Sequence, residues 1–406
     1  MLKHLRPPHV FVQVKCLQVK CLRPLSPLAL DYFGHDTPKL GFGMMRLPKL
    51  KDGSMDLPQI CDMVDEFMGA GLTYFDTAYV YDNGDSEIAT RKALVERFPR
   101  DSFTVTTKAN AWLGNPTAEQ TRAQLQTSME RLGVDYLDYY LLHAIQDNNQ
   151  QMYDDFGLWD WIRGLKRQGV IRHWGFSFHA GPERLERLLT AYPDIDFIQL
   201  QVNYADMEDP EVQSRANMAV AEAHGVPFTV MEPVKGGMLA KPPRAIREVF
   251  DAADGSASYA SWAIRYAASM PGIITVLSGM STLAQVKDNV SYMRDFQPLT
   301  EDEQAVVAAA QAELAKVNYI ECTACHYCCD GCPMQIPIPE FFKAMNRKLQ
   351  FENEADARRR YASACKRAGV TADDCIQCGQ CEAACPQRLP IMSYLENIGE
   401  ELSEEE

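Results

Sequence analysis

Four polar residues stand at or just beyond the ends of apolar runs: Asp76 in TYFDTAYVYDNG, Tyr81 five residues on, Lys108 closing FTVTTK and His143 closing YLDYYLLH. A carboxylate, a phenol, an ammonium and an imidazole can together deliver a proton to a carbonyl oxygen as hydride reaches its carbon. A tyrosine with a pKa near 10 lies about three units, or roughly 4 kcal/mol, from a good acid at neutral pH. A lysine ammonium at about 4 Å in a partly screened site supplies an interaction of that size. Asp76 would hold Lys108 charged and in place, and His143 would orient the substrate oxygen. Each residue has a plainer reading alone: Asp76 as a helix cap, Lys108 as a solvated strand end, His143 as a packing residue. Successive strands ending in Asp, Lys and His, with a tyrosine in reach, favour the chemical one.

A second constellation lies near the C-terminus. Cys322, Cys325, Cys328 and Cys332 follow the spacing C-x2-C-x2-C-x3-C-P, ending on Pro333, and Cys375, Cys378, Cys381 and Cys385 repeat it, ending on Pro386. This is the bacterial ferredoxin run, in which three cysteines hold one 4Fe-4S cluster and the fourth ligates the other. The flanks CPMQIPI and CPQRLPI also repeat at the same offset, so two half-modules are expected to face each other. A zinc site is the alternative, but four thiolates would satisfy it and leave the rest of the eight unexplained. Cys328 keeps the repeated spacing and leaves Cys329 spare; Cys16, Cys21, Cys61 and Cys365 are likewise expected to be ordinary thiols, and His326 a surface residue that tunes a cluster.

The elements that must position these groups are legible as alternating strands and helices. Seven runs read as strands, at 72–78, 103–108, 136–143, 173–178, 197–204, 228–233 and 273–280, with amphipathic helical stretches such as TAEQTRAQLQTSMERLG between them. This is the pattern of helices around a parallel sheet, and a segment of about 250 residues favours a closed (β/α)8 TIM barrel. The eighth strand is expected within Gly236 to Asp254, and residues 299–316 read as one helix leading away from the barrel. The expected organisation is a basic, poorly ordered extension over 1–30, a barrel over 31–298, and a helical linker with a small α-helical ferredoxin-type module over 299–406. The near-duplication QVKCLQVKCL is read as an extension upstream of the natural start, with a short edge strand as the alternative.

Composition narrows the classes. The 406 residues carry a formal charge of -15 and are 46% hydrophobic. That balance suits a globular enzyme and argues against a nucleic-acid surface, which needs a basic stripe. No apolar run of about 18 residues is present, so no membrane span is expected. Ten of the 13 cysteines lie beyond residue 320 and no signal peptide is recognisable, which reads as a cytoplasmic protein with metal-binding thiols.

From KLGFGMMRLP (39 to 48) through DTAYVYDNGDSE, VTTK, DYYLLH, GFSFH, QLQVNY and MEPVKGG to SGMSTLAQVKDN, the sequence resembles the aldo-keto reductase family, in the branch with a C-terminal 4Fe-4S ferredoxin-type domain. The resemblance implies that Asp76, Tyr81, Lys108 and His143 are the catalytic tetrad, with Tyr81 the acid. It also implies a nicotinamide cofactor lying across the barrel mouth without a Rossmann fold; consistently, GFGMMR lacks the third glycine of a dinucleotide fingerprint. By the same resemblance Ser177 and Gln201 hold the carboxamide, and the segment containing Glu232, Pro233, Gly236 and Gly237 lines the pyrophosphate path. Gly279, Ser281, Gln285 and Asn289 meet the adenosine end. Phe178 replaces the asparagine that usually follows the serine. Gly279 and Gln285 replace the Lys and Arg that many members place around a 2'-phosphate, leaving NADH and NADPH both open.

The leading expectation is therefore an NAD(P)H-dependent oxidoreductase of carbonyl or alcohol substrates, with two 4Fe-4S clusters that exchange electrons with a ferredoxin, flavodoxin or other redox partner. Hydride moves two electrons together while each cluster takes one, so a structural role for the clusters stands beside electron transfer. The alternative class is an electron-transfer or structural iron-sulfur protein whose barrel is a docking scaffold; the intact tetrad counts against it. The aromatic residues Tyr79, Trp112 and Phe178 point to an apolar or planar substrate group.

Overall fold

A computed structural model describes residues 37–112, 116–147, 149–210, 212–316, 319–320, 322, 327–384 and 389–403. The expectations for residues 1–30, QVKCLQVKCL, Cys16, Cys21, Cys325, His326 and Cys385 lie outside the described residues.

Eight parallel strands close into one barrel in chain order: β1 (Leu40–Gly43), β2 (Tyr74–Asp76), β3 (Thr104–Ala109), β4 (Leu137–Ile145), β5 (Ile171–Phe178), β6 (Phe197–Gln201), β7 (Phe228–Met231) and β8 (Ile273–Gly279). Alternation along each strand sends one set of side chains into the lumen and the other under the helices. Tyr74, Tyr139, Leu141, Phe197, Ile274 and Leu277 form the inner apolar cluster. A larger cluster fills the space between strands and helices; there Phe42, Phe67 and Phe75 meet with ring centroids 5.3 to 5.9 Å apart. Each such ring contributes roughly 1.5–3 kcal/mol by leaving water.

The same alternation positions the polar residues. Asp76 lies two residues beyond inward-facing Tyr74, and His143 two beyond inward-facing Leu141. Both therefore enter the lumen at its C-terminal end, where barrel enzymes keep their chemistry.

Two sequence expectations are corrected. The eighth strand is LGFG at 40–43 rather than a segment of 236–254, which forms a tight turn over Lys235–Ala240 and a helix over Arg244–Asp254. A Cβ on Gly41 would come within 2.8 Å of Leu277 Cδ2 and 3.1 Å of Tyr74 Cδ1, so close packing selects a residue of low strand preference. The helix Glu301–Leu314 does not lead away from the barrel. Its Val307 and Ala310 are buried in the outer barrel cluster, Gln311 Nε2 donates to the Tyr204 carbonyl at 2.9 Å, and Glu303 pairs with Arg265 at 2.5 Å.

Beyond it, the helices Ile338–Phe351, Glu354–Ala368 and Ile391–Leu402 pack around a separate core that includes Ile338, Phe341, Phe342, Tyr361 and Leu395. Phe351, at the end of the first of these, belongs instead to the barrel cluster, and Arg347 Nη1 lies 3.4 Å from Met238 Sδ. The module thus sits against the loop that follows β7. Among the described residues no helix is long and apolar enough to cross a membrane.

Candidate active site and cysteine module

The four residues of the barrel constellation converge. Lys108, from β3, is buried, and its Nζ donates to Asp76 Oδ1 at 2.6 Å, to the Thr77 carbonyl at 2.8 Å and to the Tyr81 hydroxyl at 3.4 Å. The Tyr81 and His143 rings meet edge to face with centroids 5.6 Å apart. Tyr81 sits at the start of a turn in which Asp82 and Asn83 adopt left-handed backbone angles. Buried contacts pin the short helix Asp85–Thr90 that leaves this turn: Ser86 Oγ donates to the Met44 carbonyl at 2.8 Å, and Glu87 accepts from Thr107 at 2.7 Å and pairs with Arg131 at 3.1 Å.

Burial opposes charge on Lys108, but Asp76 and Tyr81 outweigh it and hold its pKa above the ordinary value, so the ammonium persists. Burial raises Tyr81 above its ordinary 10 despite the opposing field of Lys108. Lys108 thus offsets part of the cost of taking the phenolate out of water. Burial and the positive field of Lys108 push His143 well below 6.5, so it is a neutral imidazole, and its Nδ1 has no hydrogen-bond partner among the described residues.

His179, one residue past β5, was not singled out by its sequence position. Its side chain is exposed and lies within electrostatic range of His143. Of the expected aromatic lining, Trp112 is half-buried beside Tyr153, and Tyr79 lies under the Arg131 guanidinium at 4.6 Å. Phe178 points away into the outer core against Phe176, so it is not pocket lining.

Ser177 accepts from the Ala144 N–H at 2.6 Å, which leaves its hydroxyl hydrogen to donate elsewhere. Directly opposite it in register stands Gln199, buried, with an Oε1 that has no partner among the described residues. Gln201 lies two residues further along, and its amide donates to Asp206 at 2.8 Å. Asp206 also accepts from Asn203 at 2.7 Å and forms an ion pair with Lys235. Glu232 holds a positive φ of 55°, Pro233 follows it, and Gly236 and Gly237 turn the loop at φ 67° and 93°, which residues with a Cβ rarely adopt.

At the adenosine end of the expected cofactor path, Ser281 Oγ donates to the Arg46 carbonyl at 2.7 Å and its N–H to Gln285 at 2.7 Å. Arg46, which sequence reasoning passed over, runs across Gly279: a Cβ there would lie 3.4 Å from its Cδ. Its guanidinium is half exposed and 3.7 Å from Glu232. Asn289 is buried, with its amide engaged by Ser278 and Tyr292 at 2.6 Å each.

In the module, Cys332, Cys375, Cys378 and Cys381 line one cavity together with apolar residues including Ile336, Met392 and Leu395. The fourth cysteine of the first run thus joins three of the second, as the ferredoxin spacing requires. No three of the described cysteines, histidines and carboxylates are gathered tightly enough to hold a single metal ion. Cys328 is buried beside Cys329, with Cys322 in electrostatic range. Cys61 lies on the barrel helix Leu57–Gly69, and Cys365 lies on the module helix Glu354–Ala368, packed against the module core.

The sequence model of the aldo/keto reductase family matches residues 39–312, and that of a 4Fe-4S dicluster domain matches residues 321–389. The uncharacterized oxidoreductase YqkF of Bacillus subtilis is 24% identical over 299 residues, 66% of this chain and 90% of that protein. An aldo-keto reductase of Mycolicibacterium vanbaalenii is 31% identical over 241 residues, covering 59% and 78%. Among solved structures, an aldo-keto reductase of Bacillus halodurans in its holo form superposes with a TM-score of 0.54 at 25% identity, over 67% of this chain and 91% of that one. The fold is also that of a Klebsiella pneumoniae aldo-keto reductase solved with NADPH, with a TM-score of 0.53 at 21% identity over 67% and 90%.

Proposed function

The chain belongs to the aldo/keto reductase family, and on that premise we propose that it moves hydride between a nicotinamide cofactor and a small carbonyl or alcohol, with Tyr81 as the acid in the reductive direction. The observation that carries this reading is the chain Asp76–Lys108–Tyr81 at 2.6 and 3.4 Å, with Asp76 and Lys108 buried and Tyr81 half-buried. Asp76 keeps Lys108 charged; Lys108 stabilises the phenolate that Tyr81 becomes once its proton has gone to the substrate oxygen. Neutral His143 and the Tyr81 hydroxyl together orient that oxygen.

The bound nicotinamide supplies the hydride. Ser177 and Gln199 form a matched donor and acceptor for its carboxamide, with Gln201 supporting that end through Asp206. Glu232, Pro233, Gly236 and Gly237 line the pyrophosphate path, and Gly279, Ser281, Gln285 and Asn289 shape the adenosine end. Arg46 is the cation there, and it offers a phosphate partner that Gly279 and Gln285 do not. This favours NADPH over an even choice between the two nucleotides.

In this reading the barrel unit includes the docked helix Glu301–Leu314, and the module matched over 321–389 carries two 4Fe-4S clusters. Cys322, Cys325 and Cys328 with Cys385 hold one; Cys375, Cys378 and Cys381 with Cys332 hold the other. Each cluster, when bound, supplies one-electron chemistry toward a soluble carrier in the cytoplasm. The test is anaerobic reduction of short aldehydes, ketones and quinones by NADPH and NADH, with intact protein and with Tyr81→Phe. Turnover that survives the substitution undiminished would remove the assignment and favour the barrel as a docking scaffold.

A further inference from the structure

The turn that carries Tyr81 is strained. Immediately after it Asp82 and Asn83 hold φ of 48° and 56°, so two residues with a Cβ stand in the left-handed region, and Gly84 follows at 98°. Such backbone persists only where its surroundings over-determine it. The bonds within the turn, from the Tyr81 N–H to the Ala78 carbonyl at 3.1 Å and from the Asn83 N–H to the Val80 carbonyl at 3.3 Å, tie it only to itself. Lys49 holds Asp82 at the surface, at 2.5 Å.

From the inner side the turn meets Glu87 and Arg131. Glu87 is fully buried, and its two oxygens are divided: one accepts from Thr107, the residue before Lys108, at 2.7 Å, and the other from Arg131 Nη1 at 3.1 Å. The same Arg131 nitrogen donates at 3.1 Å to the carbonyl of Tyr79, two residues before Tyr81. Its guanidinium lies 4.6 Å over the Tyr79 ring, and a Cβ on Gly84 would collide with it. Arg131 comes from the helix Ala118–Leu132, beyond β3, so it grips the turn on both sides of Tyr81 from a separate element.

A buried ion pair is weak ground for stability, because an apolar pair of the same volume often serves as well. What a carboxylate with two directed partners fixes is position. We propose that Glu87 and Arg131 are positioning residues for the reaction: together they join the neighbour of Lys108 to the backbone on both sides of Tyr81 and so set the hydroxyl against the ammonium, 3.4 Å away. Neither residue touches the reacting atoms. Their loss leaves every member of the tetrad in the chain but lets the acid drift, and a misplacement of about 1 Å can cost up to about 10²-fold in rate.

This inference rests on the reading of Tyr81 as the acid, and the test separates the two. The carbonyl compound from the aldehyde, ketone and quinone series that intact full-length protein reduces fastest with NADPH is followed in single turnovers. Absence of any reduction, or a Tyr81→Phe rate equal to the native one, would remove the reading and the inference together. Otherwise Arg131→Met should lower the rate by about 10- to 10²-fold with nucleotide affinity unchanged, and Arg131→Lys, which keeps the cation, should recover most of the loss. Glu87→Gln keeps the size and the contact with Thr107, and it should act in the same direction should Arg131→Met fail to fold. In the Tyr81→Phe background the same substitutions should have no further effect, because they act through the missing hydroxyl. Hydrogen exchange should quicken over residues 77–90 and not elsewhere in the barrel. An equal fall in both backgrounds, or exchange that quickens throughout the barrel, would show a purely structural pair, overturning the inference and leaving Tyr81 as the acid.

Discussion

Lys108 Nζ and Asp76 Oδ1 lie 2.6 Å apart with their side chains 1% and 5% exposed, so this ion pair is removed from water at the mouth of the barrel. Such a pair is costly to break one-sidedly, since the surviving charge stays buried without its partner. Lys108→Met should lower stability by about 3–5 kcal/mol, and adding Asp76→Asn should restore a large part of it. Urea unfolding of the two variants and the native protein measures this. A double variant no more stable than the single one would mean that Thr77 and solvent already satisfy Asp76. Activity should be lost in both.

Tyr81 gives a pH signature with a definite sign. Burial raises its pKa above 10, and the acid must hold its proton to act. The reductive kcat/KM should stay flat from neutral pH to about 10 and fall only above that. Tyr81→Phe should cut it by about 10²–10⁴ while leaving nucleotide affinity unchanged, as measured by fluorescence titration. A descending limb that begins well below 10 would mean that the field of Lys108 overcomes desolvation.

The sequence carried the barrel and the polar strand ends because both rest on periodicity. Strands ending in Asp76, Lys108 and His143 could be read without knowing their neighbours. β1 could not: LGFG is half glycine, and the reason for Gly41 is the proximity of Leu277 and Tyr74, a contact 236 and 33 residues away in the chain. Gln199 and Gln201 share one face of β6, so alternation alone cannot choose between them. Only the register with Ser177 and the hydrogen bond of Gln201 to Asp206 set the two apart. The docking of Glu301–Leu314 was hidden by its alanines, which bury surface without marking a strongly apolar stripe. Arg46 and His179 lie within the GFGMMR and GFSFH runs, but only the fold shows what stands beside them.

His143 should leave a mark on stability as well as on chemistry. Its folded pKa lies well below 6.5, so as pH falls through about 6.5 the unfolded chain binds a proton that the folded chain refuses. Stability associated with this group is therefore complete above about 6.5. It declines below that by up to about 1.4 kcal/mol per pH unit until the folded pKa is reached. His143→Asn should flatten the slope of unfolding free energy against pH between 7 and 5.5, each value taken from urea unfolding. Parallel slopes in variant and native protein would show that His143 titrates alike in both states.

The two glutamines of β6 differ in their hydrogen bonding, which makes the proposed carboxamide contact testable. Gln199 presents a buried acceptor beside Ser177 with no partner among the described residues, whereas the Gln201 amide is already committed to Asp206. Gln199→Leu keeps the side-chain size and removes the acceptor, so nucleotide affinity should fall by about tenfold, the equivalent of roughly 1.4 kcal/mol, with little change in stability. Gln201→Leu instead leaves the Asp206 carboxylate short of a donor inside the protein, so its larger effect should be on stability, and its effect on nucleotide binding should follow from the loosened Asp206. Isothermal titration with NADPH, paired with urea unfolding of the same two variants, reads both quantities. If Gln201→Leu abolishes binding at unchanged stability while Gln199→Leu binds normally, the carboxamide is held at Gln201 and the unpartnered oxygen of Gln199 faces water.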